Sequence, residues 1–481
     1  MMKYKSKLTI IFCIATVILS LVACNLNTNQ GDFDFDWEKN YENNLPFYGE
    51  TITVAMLPHE SNIQRAQLFM TLNPGVTIQM VSVSQNIERA REQLNIELMA
   101  GDAPTLIEAS LVDYRDPRIS RYFADWYPII NSAPTFIEDD WLMNVIHAAA
   151  INEELIAFPL MFRFYVVTAN SLISGMSEFI DGKRVISLSE MLEFHAQTDT
   201  EEQMYLFDDF DAFHVIERSI DSFFSFEEGR VDFVNEHFVD LISQTRDITA
   251  HDHMIGDRTW GHWGISESRD RDIDMSENYL FMTVRPAAFP YISIFSDDTM
   301  FTNAMYEVND DGELIISHRV SFILNDGATD AEKALAWEYI RFVAEPYSSE
   351  DPENDPHYAE RVSLNDVGNR LIHTPVNRNM LRFVAEVTQP SNLWRHYTRS
   401  GGDVVQPWTL IHSESDVIEI LYERMITAGE MRMTTVRYAP EIIENVIEAS
   451  MLLFTNGLVS AEQTANDLQN QVELVMMEIG S

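Results

Sequence analysis

The sequence predicts an α/β protein built of two units, with a helical C-terminus. Three observations indicate this fold class. Strand-like apolar segments alternate with helical segments early in the chain, a later segment carries the capping signals of a helix that returns to the first unit, and the last residues carry a regular helical stripe. Strands that alternate with helices favour a parallel or mixed sheet covered on both faces.

The composition argues against several classes of function. The chain has 481 residues, 46% of them hydrophobic, which is enough for a sizeable core in two or three domains. Asp and Glu number 76 against 32 Lys and Arg, a formal charge of −44. Nucleic-acid grooves and surfaces for anionic membranes need clustered cations, so this balance argues against both. The two cysteines, Cys13 and Cys24, leave the rest of the chain without an intramolecular disulfide or a thiolate metal cluster.

The N-terminus predicts export. Three lysines, at positions 3, 5 and 7, precede an apolar run over residues 8–22, the length of a signal-peptide core. The run ends in Leu21-Val22-Ala23-Cys24, which resembles the bacterial lipobox and implies lipidation of Cys24. The alternative, an uncleaved membrane anchor, would need a longer apolar stretch. Residues 1–23 are therefore predicted as a lipoprotein signal peptide, and residues 24–49, rich in Asn, Asp and Glu, as an acidic tether.

The first folded unit shows a β-α-β-α-β pattern. Alternating apolar residues predict strands over 51–56 and 77–83, with a helix between them. Apolar residues at helical spacing over 87–98 predict a second helix, which ends at Gly101. An apolar strand over 106–112 follows. In such an arrangement, ligands bind beyond the carboxyl ends of the strands.

The middle of the chain predicts a crossover and a return. After a turn at residues 152–154, the extended segments 157–159 and 165–168 indicate that the chain leaves one unit and enters another. Buried strands are predicted at 280–284 and 320–324, with a hairpin turn at 309–312 between them. Thr329 and Glu332 then form a capping box that opens the returning helix.

Two helices are predicted at the C-terminus. Pro440 can occupy the first helical position, Gly457 the C-terminal stop, and Ser460 with Gln463 a second capping box. A stripe with steps of three and four residues predicts the face that docks on the body. It consists of Ala465, Leu468, Val472, Val475 and Ile479.

Several motifs in this order resemble the extracellular solute-binding proteins of ABC importers, family 1. They are Gly101-Asp102-Ala103-Pro104, Ala124-Asp125-Trp126-Tyr127-Pro128, Asn152 to Pro159, Ala334 to Phe342, and Asn456-Gly457 with the helix after it. The chain departs from the family at Thr105, where Asp is common. The resemblance implies a type II periplasmic-binding-protein-like fold, in which two α/β lobes joined by crossover strands close over one solute.

The resemblance also implies how the chain is divided and what it does. Lobe 1 is expected over 50–160 and 311–350, and lobe 2 over 161–310 and, with the C-terminal helices, 351–481. The family carries mostly sugars, so we expect a monomeric binding lipoprotein, without cofactor or catalytic activity, that delivers a sugar or oligosaccharide to an ABC permease. It would be held by its lipid at the extracellular face of the cell membrane, or the periplasmic face in a host with an outer membrane.

Sugar recognition uses aromatic faces together with planar polar groups. Three candidate groups follow predicted strands or the crossover, and two more are tryptophan pairs in or beside glycine-containing loops. The candidates are Asp113, Tyr114 and Arg115; Arg163, Phe164 and Tyr165; Arg285, Phe289 and Tyr291; Trp260 and Trp263; and Trp394 and Trp408. Each has a plainer reading, as a solvated loop for the first group and as ordinary core or strand-end residues for the others.

The sequence also offers two rival chemistries, a metal site and an enzyme. His251, His253, Asp257 and His262 could hold zinc, but His-x-His is common in polar loops, and no metal site is predicted. Acidic pairs are too abundant in this chain to indicate a glycosidase, and no nucleophile, zinc-protease or phosphate-loop motif occurs in the mature part. A lipid-anchored hydrolase or a polysaccharide adhesin remains the alternative function.

Overall fold

The structure is a computed structural model. It describes residues 33–42, 45–57, 60–170, 173–198, 205–207, 219–226, 228–248, 279–284, 301–346, 374–387, 423, 425–435 and 440–479. The strands are β1 Thr51–Ala55, β2 Thr77–Val81, β3 Leu106–Glu108, β4 Ala157–Phe164, β5 Val166–Asn170, β6 Val185–Ser187, β7 Tyr205–Phe207, β8 Phe224–Ser225, β9 Arg230–Val231, β10 Tyr279–Val284, β11 Phe301–Val308, β12 Leu314–Leu324, β13 Thr374–Pro375 and β14 Met433–Thr435. The α-helices are α1 Trp37–Glu42, α2 Glu60–Leu72, α3 Ile87–Ala100, α4 Pro117–Ser120, α5 Trp126–Ser132, α6 Met143–His147, α7 Met176–Ile180, α8 Leu188–Gln197, α9 Glu236–Ile248, α10 Asp330–Ala344, α11 Arg378–Val387, α12 Glu441–Thr455 and α13 Ala461–Ile479.

One mixed sheet runs through the described molecule, and a separate two-stranded ladder pairs β8 with β9. The main path of the large sheet is β2-β1-β3-β12-β11-β5-β10-β7. β1 is parallel to both β2 and β3, whereas β12 is antiparallel to β3 and β4. The mixed sheet that the sequence predicts is thus confirmed.

The first part of this sheet carries hydrophobic cores on both faces, and we call this body lobe 1. Alternate residues of β1 divide between them: Ile52 and Val54 face one core, while Ala55 faces the other. Helices α2, α5 and α10 cover the first face, and α3 covers the second through Ala90, Leu94 and Leu98. Two buried faces explain why the strands read as apolar runs in the sequence.

The second part of the sheet carries a separate core, and we call this body lobe 2. Its strands contribute Val167, Leu280 and Met305, among others. Helices α7, α8, α9, α12 and α13 supply the rest of this core. The stripe on α13 lies on it as predicted, with Leu468 and Val472 fully buried. The architecture is therefore two α/β lobes joined through strands, with a helical C-terminus.

The chain passes between the cores at two places in its described part. The first lies at the start of β5, where Val166 belongs to the lobe 1 core and Val167 to the lobe 2 core. The second lies within β11, where Met305 belongs to the lobe 2 core and Tyr306 to the lobe 1 core. Further along the chain, β14 pairs with β12, and Ile443 of α12 packs in the lobe 2 core.

Residues 33–42 and 45–50 differ from the predicted tether, because they pack on lobe 1. Trp37 is 5% exposed, and its indole Nε1 donates to Ser132 Oγ at 3.2 Å. The rings of Phe35 and Phe47 stack with 5.6 Å between centroids. The scattered aromatic residues in this acidic stretch are what anchor it, since each large ring removes apolar surface from water.

The helix and strand signals of the sequence are largely confirmed. Gly101 ends α3 in a left-handed conformation, with φ of +78°. The box of Thr329 and Glu332 caps α10, and Asn309 Oδ1 accepts the backbone N–H groups of Asp311 and Glu313 in the predicted hairpin turn.

Three features differ from prediction. The strand predicted over 106–112 ends at Glu108, because the chain turns into a short 3₁₀ helix over Ala109–Leu111. Pro440 precedes α12 instead of occupying its first turn. Residues 374–387 and 425–435 also differ from the predicted division, because Val376, Leu381 and Ala428 pack in the lobe 1 core.

None of the helices in the described residues combines the length and the apolar character that a membrane span requires.

Candidate functional site

The boundary between the lobes is where the predicted site residues of the described part gather. The parallel strands β1 and β3 end on the lobe 1 side of it. Glu108, the last residue of β3, holds this edge together: its carboxylate accepts from the Leu57 backbone N–H at 3.0 Å and from Ser110 Oγ at 2.9 Å. Carboxyl ends of parallel strands are the usual ligand-binding edge of an α/β sheet.

The predicted residues Asp113, Tyr114 and Arg115 lie in the loop that follows this edge. The loop is half-buried. Asp116 closes it by accepting the backbone N–H of Arg118 and so capping α4. The Arg115 guanidinium lies over the Tyr114 ring, 5.4 Å from its centroid. The loop therefore presents a carboxylate, an aromatic ring and a guanidinium on one short segment.

This loop contacts lobe 2 directly, at the start of α12. Asp113 Oδ2 accepts the backbone N–H of Glu441 at 2.9 Å. Arg115 Nη1 lies 2.7 Å from Glu444 Oε1. Residues more than three hundred positions apart in the chain thus meet across the lobe boundary.

A third contact lies beside the first two. Arg91 on α3 pairs with the Glu441 carboxylate and also donates through Nε and Nη2 to the Ser110 carbonyl, each at 3.3 Å. One arginine therefore ties α3, the loop after β3 and α12 together.

Burial and charge shift the acid and base strengths of the loop. Burial raises the pKa of Asp113, although the Glu441 backbone N–H and the charge of Arg115 work in the opposite direction. For Arg115, burial acts to lower the pKa, but Tyr114, Glu444 and Asp113 together raise it. Arg115 is thus a permanent cation in this site.

Arg163, Phe164 and Tyr165 lie directly before the first crossing, later in the chain than the predicted crossover at 157–159, because Phe162 and Phe164 still pack in the lobe 1 core. Arg163 is 5% exposed and Phe164 is 2% exposed, and the Phe164 ring stacks on Phe162 with 5.7 Å between centroids. Tyr165 is half-buried, and its carbonyl accepts the backbone N–H of Glu307 at 3.3 Å. Phe164 thus occupies the packing role that was the alternative for it, while Tyr165 retains exposed surface.

His318 on β12 adds a titratable group near the loop. Its Nε2 lies 3.1 Å from the Val145 carbonyl. Burial lowers the pKa of His318 to about 4, with the positive charge of Arg115 acting in the same direction and the Val145 carbonyl against both. His318 is therefore neutral at neutral pH and places no second cation beside Arg115.

The other candidates lie outside the described residues. They are Cys24, Trp260, Trp263, Arg285, Phe289, Tyr291, Trp394 and Trp408, together with the histidine-rich segment 251–262. Within the part of the chain that the structure describes, no group of three or more His, Cys, Asp or Glu side chains is placed to hold a metal ion.

Sequence reasoning missed four residues of the boundary: Arg91, Glu108, Glu441 and Glu444. Glu108 carried a usable signal, because an acidic residue directly ends an apolar strand in a β-α-β pattern. The two glutamates of α12 carried none, since acidic residues in a first helical turn are ordinary there.

Comparison with known proteins bears on the fold. No family model matches the chain, and no curated protein matches it in sequence. Among solved structures, a periplasmic oligogalacturonide-binding protein from Yersinia enterocolitica matches with a TM-score of 0.54 at 8% identity, covering 90% of this chain and 100% of that one. A family 1 extracellular solute-binding protein from Bifidobacterium longum subsp. infantis matches with a TM-score of 0.52 at 13% identity, over 87% and 98% of the two chains.

A third match is the ABC substrate-binding protein Lmo0181 from Listeria monocytogenes in complex with cycloalternan. Its TM-score is 0.51 at 11% identity, over 89% of this chain and 99% of that one. The fold is thus that of the family 1 extracellular solute-binding proteins, as the sequence motifs predicted. Most of the matching structures are solute-binding proteins, although a de novo designed esterase is also among them.

Proposed function

We propose that this protein is the extracellular substrate-binding lipoprotein of an ABC importer, and that it binds a carbohydrate-like solute between its lobes. The observation that carries the proposal is the meeting of the two lobes at the loop of Asp113 and Arg115, directly beyond the carboxyl ends of β1 and β3. The solved neighbours support the carbohydrate class, since they bind an oligogalacturonide in one case and cycloalternan in another.

The mechanism follows from the connections between the lobes. The crossings within β5 and β11 would let one lobe rotate against the other while both cores stay intact. Closure would bury the solute between aromatic and polar groups, and the closed form would be the one that the permease recognises. The exposed surface of Tyr114 and Tyr165 is proposed for stacking on sugar C–H faces, because both rings are half-buried at the boundary.

Thermal-shift measurements with purified protein test the proposal. Maltotetraose, cellotetraose, raffinose and trigalacturonate serve as probes. A bound oligosaccharide should raise Tm in proportion to ln(1 + [L]/Kd), and chromatography should recover it unchanged. Hydrolysis of the same oligosaccharide would overturn the binding role and favour the enzyme alternative.

The Tyr114→Ala variant tests the site within the proposal. If the ring stacks on the solute, its loss should weaken binding by about 1–3 kcal/mol, roughly a 5- to 150-fold rise in Kd. Tyr122→Ala is the matched control, since Tyr122 belongs to the same lobe 1 core, and its ring lies instead beside Arg121. Equal Kd values for the wild type and the Tyr114 variant would remove Tyr114 from the site.

We propose that a lipid attached to Cys24 holds the protein at the membrane. The Cys24→Ser variant should lose the lipid and appear in the culture medium, whereas the wild type stays with the membrane fraction. Mass spectrometry of the N-terminal peptide measures the modification directly. An unlipidated wild-type Cys24 would contradict this part of the proposal.

A further inference from the structure

The contacts across the lobe boundary are polar, and they are built from residues of both lobes. On the lobe 1 side lie Asp113, Arg115 and Arg91, and on the lobe 2 side lie Glu441 and Glu444 of α12. Arg115 and Glu444 are 26% and 23% exposed, so their ion pair is shielded from solvent more than a surface pair is. We call this set of five residues the boundary latch.

The start of α12 depends on lobe 1 for its cap. Pro440 precedes the helix and provides no side-chain hydrogen bond to it. The first N–H groups of a helix need acceptors from outside the helix. Asp113 Oδ2 supplies one by accepting the Glu441 N–H at 2.9 Å, so the cap of a lobe 2 helix is a carboxylate of lobe 1.

The latch lies close to the strands and helices where the two lobes meet. In the chain, helix α12 comes after β14, which pairs with β12, while its inner face, including Ile443 and Ile447, is fixed in the lobe 2 core. Arg115 is close enough to His318 on β12 to affect the pKa of that histidine. A rotation that parts the lobes would therefore separate Asp113 and Arg115 from α12, while the packing within each lobe stays unchanged.

The charges of the latch residues favour bringing the two lobes together. The chain carries 76 acidic against 32 basic residues, so bringing two acidic lobes together is opposed by repulsion. At this boundary two arginines of lobe 1 lie against two glutamates of lobe 2. The contacts replace repulsion by attraction at the place where the lobes meet.

We infer that the boundary latch stabilises the closed arrangement of the lobes, and that Asp113, Arg115 and Glu444 are positioning residues that set solute affinity without contacting the solute. The inference rests on the proposed function, because it assigns these residues a part in closure. A latch that raises the closed population raises the apparent affinity for any solute that binds the closed form better.

The distance between the lobes measures this equilibrium without any ligand. Fluorophores attached to Gln67→Cys on α2 and Ala196→Cys on α8 report it by single-molecule energy transfer, because both positions are exposed and lie on different lobes. Replacing Cys13 and Cys24 by Ser leaves the two introduced thiols as the only labelling sites.

We expect Arg115→Gln and Glu444→Gln each to lower the ratio of closed to open molecules about 2- to 5-fold, the range for partly exposed ion pairs. The double variant should do little more than either single one, since both remove the same pair. Raising NaCl from 0.05 to 1 M should reduce the difference in closed population between the wild type and the double variant, because salt screens the repulsion between the lobes in both proteins but the latch ion pair only in the wild type. Arg118→Gln is the matched control, because Arg118 pairs with Asp116 of its own lobe.

The outcomes separate the latch from the proposed function. Identical distance distributions for the wild type, Arg115→Gln and Glu444→Gln, or the same response to salt in the wild type and the double variant, would overturn the latch, whatever the oligosaccharides do. If the variants open the lobes and no oligosaccharide of the panel raises Tm, the latch is supported and the carbohydrate proposal fails. If one binds, its Kd should rise in the two variants by no more than the loss of the closed population.

Discussion

The two lobes are built from one sheet, but their cores are assembled differently. Lobe 1 centres on Trp126, Trp141 and Trp337, all at most 2% exposed, which pack around Phe158 at ring distances between 5.3 and 5.8 Å. Lobe 2 uses phenylalanines such as Phe238, and closes with the helix pair α12 and α13. Lobe 1 is thus complete in itself, whereas lobe 2 has a helix whose first turn is capped from lobe 1.

This difference suggests that the core of lobe 1 is fixed independently of lobe 2. In lobe 1, buried indoles also hold their hydrogen bonds: Trp126 Nε1 donates to the Phe322 carbonyl at 3.0 Å, and Trp337 Nε1 donates to Thr135 Oγ1 at 3.1 Å. Satisfied polar atoms inside a close-packed core fix a single arrangement. Lobe 1 thus holds these indoles within its own core, whereas lobe 2 relies on lobe 1 for the cap of α12.

The largest expected effect comes from emptying one core at a time. Trp337→Ala and Phe238→Ala each remove a fully buried ring, which costs about 3–5 kcal/mol of unfolding free energy. If the cores are independent, Trp337→Ala should accelerate hydrogen exchange in β1 and β3, and Phe238→Ala should do so in α9 and α13. Ile96→Ala, at a site 65% exposed, is the control with little effect.

Peptide-resolved exchange by mass spectrometry measures this comparison. Equal acceleration across both lobes in both variants would show one cooperative unit and would break the distinction drawn between them.

The sequence predicts those helices and strands whose signals lie in neighbouring residues, and it misses contacts between distant ones. The strands and helices between Thr51 and Glu108 follow from periodicity and from Gly101, because both are properties of neighbouring residues. Residues 33–50 did not, since their anchoring depends on rings that meet a distant surface beside α5 and α10.

The site divides in the same way. The loop of Asp113 and Arg115 was predictable from its place after β3. Its partners Glu441 and Glu444 were not, because only the folded chain brings α12 to that loop. Long-range pairing leaves no periodic trace in either segment.

Acid unfolding is expected to give the next largest effect, because one histidine of lobe 1 has a lowered pKa in the folded state. The pKa of His318 is lowered from 6.5 to about 4 in the folded state, so the unfolded chain binds more protons between these values. Stability contributed by the neutral imidazole is present above pH 6.5 and is lost as the pH falls toward 4, by at most about 3 kcal/mol. Urea unfolding of His318→Gln between pH 4 and 7 should show a correspondingly flatter dependence than the wild type.

A second substitution at His318 sharpens the result on the pH dependence of unfolding. His318→Asn, which also removes the titratable ring, should flatten the pH dependence as His318→Gln does if the imidazole is responsible for it. Parallel curves for the wild type and His318→Gln would show that other groups dominate acid unfolding.

The smallest expected effect compares two helix caps of the same design, one in each lobe. Thr329 caps α10 with Glu332, and Ser187 caps α8 with Glu190; each hydroxyl accepts a backbone N–H, and each glutamate accepts the N–H of the capping residue.

Replacing either capping residue by Ala removes one acceptor, so Thr329→Ala and Ser187→Ala should each cost about 1 kcal/mol. The exchange increase should be confined to the helix concerned. Thr71→Ala is the control, since that hydroxyl donates to the Gln67 carbonyl near the end of α2, where Ala is tolerated well. If Thr329→Ala loosens α8 as strongly as α10, the lobes share their stability, and the closed contacts at α12 link them more tightly than separate cores would allow.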